Sequence, residues 1–181
     1  MAAAIIASVP MVAQAKTPDG VSFPPTMTVD GTTLVLNGTG TRTISYFLDA
    51  YASALYVRTK ASTPAAIMAE QPPFVVVTKY LHDGTVDQTK AEFRHVYNKF
   101  CESNPCSRQS EASFQMVLDH VQPTHVGDQS VTILNNSYSV SLDGRPPFVL
   151  NDPEYAKGFI AAILGSASPT PDYANGLLGK E

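Results

Sequence analysis

Charge is scarce in this 181-residue chain: 15% of its residues are Asp, Glu, Lys or Arg, against 44% hydrophobic ones. That balance excludes a disordered polymer and leaves enough apolar material for one packed core. No basic run occurs and the net charge is -4, so a nucleic-acid partner is not expected. No apolar run approaches the roughly 20 residues needed to span a bilayer, which predicts a soluble protein without a membrane span. Tryptophan is absent and only two cysteines are present. There is no C-x-x-C redox motif, no G-x-S-x-G elbow, no Walker loop and no G-x-G-x-x-G opening a helix. The four histidines, His82, His95, His120 and His125, form neither H-x-x-x-H nor H-E-x-x-H. No metal and no cofactor is therefore expected, and the histidines read as surface or helix-end residues.

What the chain does contain begins with a small, apolar N-terminus. Residues 2–13 are small and apolar, and Ala13-Gln14-Ala15 at their end fits the A-x-A cleavage pattern of a secretory leader, although a charged n-region is missing. The expectation is a leader over residues 1–15, a single domain over 16–181, and a periplasmic or secreted protein. Cys101 and Cys106 flank Glu-Ser-Asn-Pro, a spacing that suits a small disulfide loop in an exported protein. A loop that short stabilises by about 2 kcal/mol in the chain-entropy picture. Asn37-Gly38-Thr39 and Asn135-Asn136-Ser137 match the glycosylation sequon.

Periodicity divides the chain into strand-rich ends and a helical middle, an α+β arrangement. Strands are predicted at Thr26–Val29, Thr32–Thr39, Thr43–Arg58, Phe74–Leu81, Ser130–Leu134, Tyr138–Leu142 and Pro147–Leu150. Asp30-Gly31 and Asp143-Gly144 read as hairpin turns. Helices are predicted at Pro64–Glu70, Asp87–Cys101, Gln109–Val121, Pro153–Leu164 and Pro171–Leu178. Phe93, Val96, Tyr97 and Phe100 recur at three- and four-residue spacing, which predicts a buried face on the second helix. Phe114, Val117, Leu118 and Val121 do the same on the third, and Tyr155, Phe159 and Ile163 form a further stripe. Ser166–Pro171 reads as a short connector.

The stretch from Leu34 to Val57 reads as a strand, a glycine-rich bend at Asn37–Gly40, and a second strand. Arg42 follows the bend immediately. Its guanidinium cannot shed its charge, so between largely apolar strands it requires an anionic or carbonyl partner. Asp49 or the hairpin carbonyls would serve within the chain; a ligand anion would serve from outside it.

The pattern L-x-L-N-G-x-G-x-R, followed by a strand ending in A-L-Y-V, resembles the chalcone isomerase-like family. The resemblance continues through Phe74–Leu81, the helix Asp87–Cys101, the F-I-A-A-I-L-G segment Phe159–Gly165 and the closing segment Pro171–Leu178. It covers Val21 to Gly179. It implies an open-faced β-sandwich, a large antiparallel sheet with a helical layer. It further implies a cleft in which the arginine after the glycines faces oxyanions, here Arg42. Catalytic members close a phenolate onto an enone, which needs orientation and a nearby cation. A threonine of those enzymes aligns with Tyr51. Their cleft-helix tyrosine and asparagine align with Phe93 and Phe100, or with Tyr97 for the tyrosine if the alignment slips by a turn. A late threonine aligns with Ala162.

Three polar cleft positions thus become apolar while the arginine remains. An isomerase (an intramolecular lyase) acting on a flavonoid-like phenol would lose most of its transition-state hydrogen bonds. A cleft with one cation and apolar walls suits a fatty acid, which non-catalytic members bind. The expected ligand is therefore a small amphipathic anion touching Arg42, Tyr51, Phe93, Tyr97, Phe100 and Ala162. Two alternatives stand beside it: an active isomerase using Arg42 and Tyr51, and an envelope interaction domain without a ligand. Phe93, Phe100 and Ala162 equally suit a core, and Tyr51 an ordinary strand position.

Overall fold

The computed structural model describes residues 15–16, 19–45 and 48–180. The expected leader lies outside the described residues except for Ala15, which with Lys16 forms a two-residue strand, β1 (Ala15–Lys16), antiparallel to β2 (Ser22–Phe23). The main sheet has seven antiparallel strands in simple sequential order: β3 (Thr26–Val29), β4 (Thr32–Ser45), β5 (Leu48–Val57), β6 (Phe74–Tyr80), β7 (Gln129–Leu134), β8 (Tyr138–Leu142) and β9 (Phe148–Leu150). The β3–β4 and β8–β9 connections begin as the sequence predicts. Asp30 and Gly31 take φ of 48° and 75°, and Asp143 and Gly144 take 49° and 70°. Two successive left-handed residues make the turn that matches strand twist.

Each helix starts on a side-chain cap. In α2 (Val86–Ser103) the Thr85 hydroxyl accepts from the Gln88 N–H while the Gln88 side chain accepts from the Thr85 N–H. Ser107 and Ser110 make the equivalent box for α3 (Arg108–Asp119). Thr63, Asp152 and Thr170 cap α1 (Pro64–Met68), α4 (Pro153–Leu164) and α5 (Pro171–Leu177), each with proline next in the chain. Cys101 and Cys106 are disulfide-bonded, with Cα atoms 5.4 Å apart, and the bond joins the end of α2 to the approach to α3.

The sheet is curled, and both its faces are covered. On the helical face Leu55, Val57, Val76, Leu134 and Tyr138 pack against Val117, Ile160, Ile163, Tyr173 and Leu177. On the reverse face Leu34, Leu36, Ala54, Tyr56, Val75 and Val77 pack with Phe23. The segment carrying Phe23 is fastened there by polar contacts. Tyr56 donates its hydroxyl to the Pro24 carbonyl at 2.8 Å, and the Lys79 ammonium donates to the Ser22 carbonyl at 2.9 Å.

Three expectations change. First, Asn37–Gly40 is not a bend. β4 runs unbroken through it to Ser45, with register shifts at Leu36/Gly38 and around Thr43, and it pairs with β5 from Val35 onward. The glycines serve close approach instead. A Cβ on Gly38 would lie 2.2 Å from the Gly176 carbonyl oxygen, and one on Gly40 would lie 2.4 Å from that of Tyr173. A Cβ on Gly176 would in turn meet the Thr39 carbonyl oxygen at 2.3 Å. Backbone of α5 therefore rests directly on backbone of β4. Asn37 ties the two together: its amide donates to the Leu177 carbonyl at 2.7 Å and accepts from the Ala61 N–H at 2.8 Å.

Second, α2 has no fully buried residue; Phe93, Val96, Tyr97 and Phe100 are only partly covered. The helix lies on the outside of the layer. Third, the single strand expected over Thr43–Arg58 is divided: its first residues end β4 at Ser45, and β5 runs from Leu48 to Val57.

Candidate functional site

Arg42 and Tyr51 are direct register partners across β4 and β5. The pleat therefore brings both side chains to the helical face, under α2. There they meet one carboxylate. Arg42 Nε donates to Glu92 Oε1 at 3.3 Å, and the Tyr51 hydroxyl donates to the same oxygen at 2.7 Å. Arg42 Nη1 also donates to the Thr43 carbonyl at 2.7 Å. Asp49, the partner considered from sequence, takes the Thr43 hydroxyl at 2.6 Å instead. The ion pair is partly shielded, with side-chain exposures of 19% for Arg42 and 24% for Glu92.

Tyrosines surround this pair. Tyr51 meets the Tyr80 ring edge-on at 6.1 Å between centroids and the Tyr173 ring at 5.8 Å. Burial first, then the neighbouring Tyr173 and Glu92, holds the Tyr51 hydroxyl well above the usual phenol range, which Arg42 only partly offsets. Tyr51 is therefore a hydrogen-bond donor at neutral pH and not a base. Burial likewise raises Tyr80 and Tyr173, and the Glu92 charge adds to both. Strand alternation explains the polar lining: Ser53 on β5 faces Thr78 on β6, their hydroxyls 2.8 Å apart, and Ser130 on β7 lies 3.5 Å from the Tyr80 hydroxyl.

Tyr80 also forms part of the wall of a groove of about 360 Å³ between α2, α3 and strands β6–β9. Its sides are Phe93, Val117, Val140 and Phe148, with Tyr138 and Ser130 on the floor. At the outer end His120 stacks on Phe148 at 3.9 Å, and Arg145 donates to the Gln122 side chain. The volume falls in the range of small-molecule sites. A second hollow, of about 310 Å³, lies between α1 and the start of α4 and shares none of these residues.

The sequence-predicted residues divide accordingly. Arg42 and Tyr51 come together on Glu92 but are not themselves groove-lining residues, whereas Phe93, next to Glu92 in sequence, lines the groove. Tyr97 stacks on Phe114 of α3 at 4.1 Å; no hydrogen bond is made by its shielded hydroxyl, although burial and then nearby Glu111 raise its pKa. Phe100 packs over Gly158 of α4, 3.8 Å from where a Cβ would stand, and Ala162 is buried on α4. These three occupy the helical packing and are not among the groove-lining residues. Sequence reasoning missed Glu92, Tyr80 and Tyr173. Glu92 borders the apolar stripe of α2, but nothing local says that it faces an arginine fifty residues earlier in the chain.

Among the described residues no cluster of His, Cys, Asp or Glu is placed to hold a metal ion, and no helix is long and apolar enough to cross a membrane. His125 lies 3.7 Å from Asp83, whose carboxylate also accepts from the Val126 N–H at 2.9 Å. That turn is held by its own contacts.

Comparison with curated proteins finds no match. Among solved structures, the chain is similar to a fatty-acid binding protein of Arabidopsis thaliana, with a TM-score of 0.68 and 12% identity over 92% of this chain and 96% of that one. At that identity the likeness concerns the fold: a curled antiparallel sheet with a helical layer. A model of the chalcone isomerase-like family matches residues 15–179, a span that includes every strand and helix described above. The chain belongs to the chalcone isomerase-like family.

Proposed function

We propose that this chain is an exported, non-catalytic binding protein for a small amphipathic carboxylate of the fatty-acid kind. The observation that carries the reading is the convergence of Arg42 Nε and the Tyr51 hydroxyl on a single carboxylate oxygen, 3.3 and 2.7 Å away. One fixed cation and one neutral phenol make a charge-assisted, directional receptor for an anionic head. Tyr80 links that receptor to the groove beside Phe93, Val117, Val140 and Phe148, which would take an apolar tail. Each methylene removed from water there contributes about 0.8 kcal/mol. The fold it shares with a protein described as fatty-acid binding supports the same reading. Phe93, the groove residue that aligns with the tyrosine of the family's enzymes, offers a transition state no hydrogen bond. Export is supported by the Ala13-Gln14-Ala15 pattern and by a disulfide that persists in an oxidising compartment.

Native mass spectrometry of protein purified without added lipid, beside Arg42→Ala, tests the reading. A carboxylate adduct carried by the first and lost from the second is expected. An adduct retained by the folded Arg42→Ala protein would overturn the assignment of the head group. N-terminal sequencing of the protein from the cell envelope should begin near Lys16.

A further inference from the structure

The donors that would receive a ligand's head already hold a carboxylate, and it belongs to the protein. Glu92 Oε1 accepts from both Arg42 Nε and the Tyr51 hydroxyl, the two groups assigned above to the anion. We propose that Glu92 is a built-in stand-in for the ligand head: it occupies the receptor in the empty protein, must be displaced for an anion to bind, and so sets affinity and head-group preference. The inference rests on the function proposed above.

Three features carry it. The competition is steric and electrostatic at once, because a second carboxylate placed on the same donors would face Glu92 at hydrogen-bonding range with only Arg42 to balance both charges. The carboxylate is not locked in place. Glu92 keeps 24% of its side chain exposed, and its helix has no fully buried residue, so the side chain can swing outward without opening the core. Its absence would also be tolerated. Arg42 retains the Thr43 carbonyl at 2.7 Å and partial contact with water, while the Tyr51 ring stays packed between Tyr80 and Tyr173. Glu92 in that position satisfies the arginine when no ligand is present, and an unpaired shielded guanidinium is the state it prevents.

The consequence is a head-group rule. A carboxylate ligand must displace Glu92, whereas a neutral head of the same tail length does not compete for the arginine's charge. The test uses the whole protein with dodecanoate and dodecanol as probes, in wild type, Glu92→Gln, Arg42→Ala and the double variant. Glu92→Gln keeps the side-chain shape and removes the charge. It should bind dodecanoate about tenfold more tightly than wild type, the scale of one charge-assisted hydrogen bond released to the ligand. Its affinity for dodecanol should be unchanged, and the gain should vanish when Arg42 is also alanine. Wild type that binds dodecanoate while Glu92→Gln binds it equally or less tightly would overturn this inference and leave the proposed function standing. Failure of both wild type and Glu92→Gln to bind either probe would overturn the proposed function itself. Binding that appears only in Glu92→Gln would support the stand-in directly.

Discussion

Replacing Gly38 by alanine tests whether the glycines of β4 serve a bend or a contact. The new Cβ would be placed 2.2 Å from the Gly176 carbonyl oxygen and 2.6 Å from the Gly179 nitrogen, both backbone atoms that cannot rotate away. Relief requires α5 to lift from β4 by about 1 Å, and a gap of that size forfeits roughly a quarter to a half of the dispersion contact across it. The large side chains that α5 and its end bury are Tyr173, Leu177 and Leu178. With about 2 kcal/mol for each such side chain, the loss comes to roughly 1.5–3 kcal/mol, within the usual range for overpacking. Urea unfolding should show a lower midpoint at unchanged slope. Gly176→Ala, which closes the same gap from the other side at 2.3 Å, should cost a similar amount, and the two should not add. Gly144, at φ 70° with open space around it, is the control, and its replacement should cost about 1 kcal/mol through backbone strain alone. A Gly38→Ala protein within about 0.5 kcal/mol of wild type would refute the close-approach account.

Asn37→Ala removes both the donor to the Leu177 carbonyl and the acceptor for the Ala61 N–H at a buried site; a loss of about 2–4 kcal/mol is expected by the same unfolding assay. The same contacts leave the Asn37 amide no room to serve as a glycan acceptor, despite its sequon. Alkaline pH should also unfold the protein cooperatively. Burial raises the hydroxyl pKa of Tyr51, Tyr80, Tyr138, Tyr155 and Tyr173 above the usual phenol value. The unfolded chain therefore releases protons first, near pH 10, so their contribution to stability is intact below that pH and falls as pH rises above it. Burial raises Tyr56 and Tyr97 as well, so phenolate absorbance followed against pH should rise chiefly in a cooperative step coincident with loss of structure. Ionisation of all eight tyrosines in one broad wave with the fold intact would contradict the buried cluster.

Local chemistry made much of this fold legible. Asp30-Gly31 and Asp143-Gly144 announce left-handed turns, and the prolines after Thr63, Asp152 and Thr170 mark helix starts, because those signals act over two or three residues. The misreading of Asn37–Gly40 has a different origin. Its cause lies in residues 173–179, at the far end of the chain, and a glycine kept for close backbone approach looks in sequence like a glycine kept for a turn. The need of Arg42 for an anion was readable from its charge, but the identity of that anion was not, since Glu92 reaches it only through the placement of α2 over the sheet. The stripe Phe93, Val96, Tyr97 and Phe100 predicted the face that α2 turns inward but not how shallowly that face is covered. Tyr80 and Tyr173 were invisible as site residues for the same reason: what unites them with Tyr51 is sheet register and the docking of α5.

The central claim is that the Arg42–Tyr51 pair receives a carboxylate whose tail lies in the groove beside Phe93. Calorimetric titration with straight-chain fatty acids of increasing length, in wild type and in Arg42→Ala, measures it most directly. The account predicts affinity that rises with length by about 0.8 kcal/mol per methylene until the groove is filled, and a loss at every length when Arg42 is removed. Affinity that ignores chain length, or that survives intact in a folded Arg42→Ala protein, would contradict it.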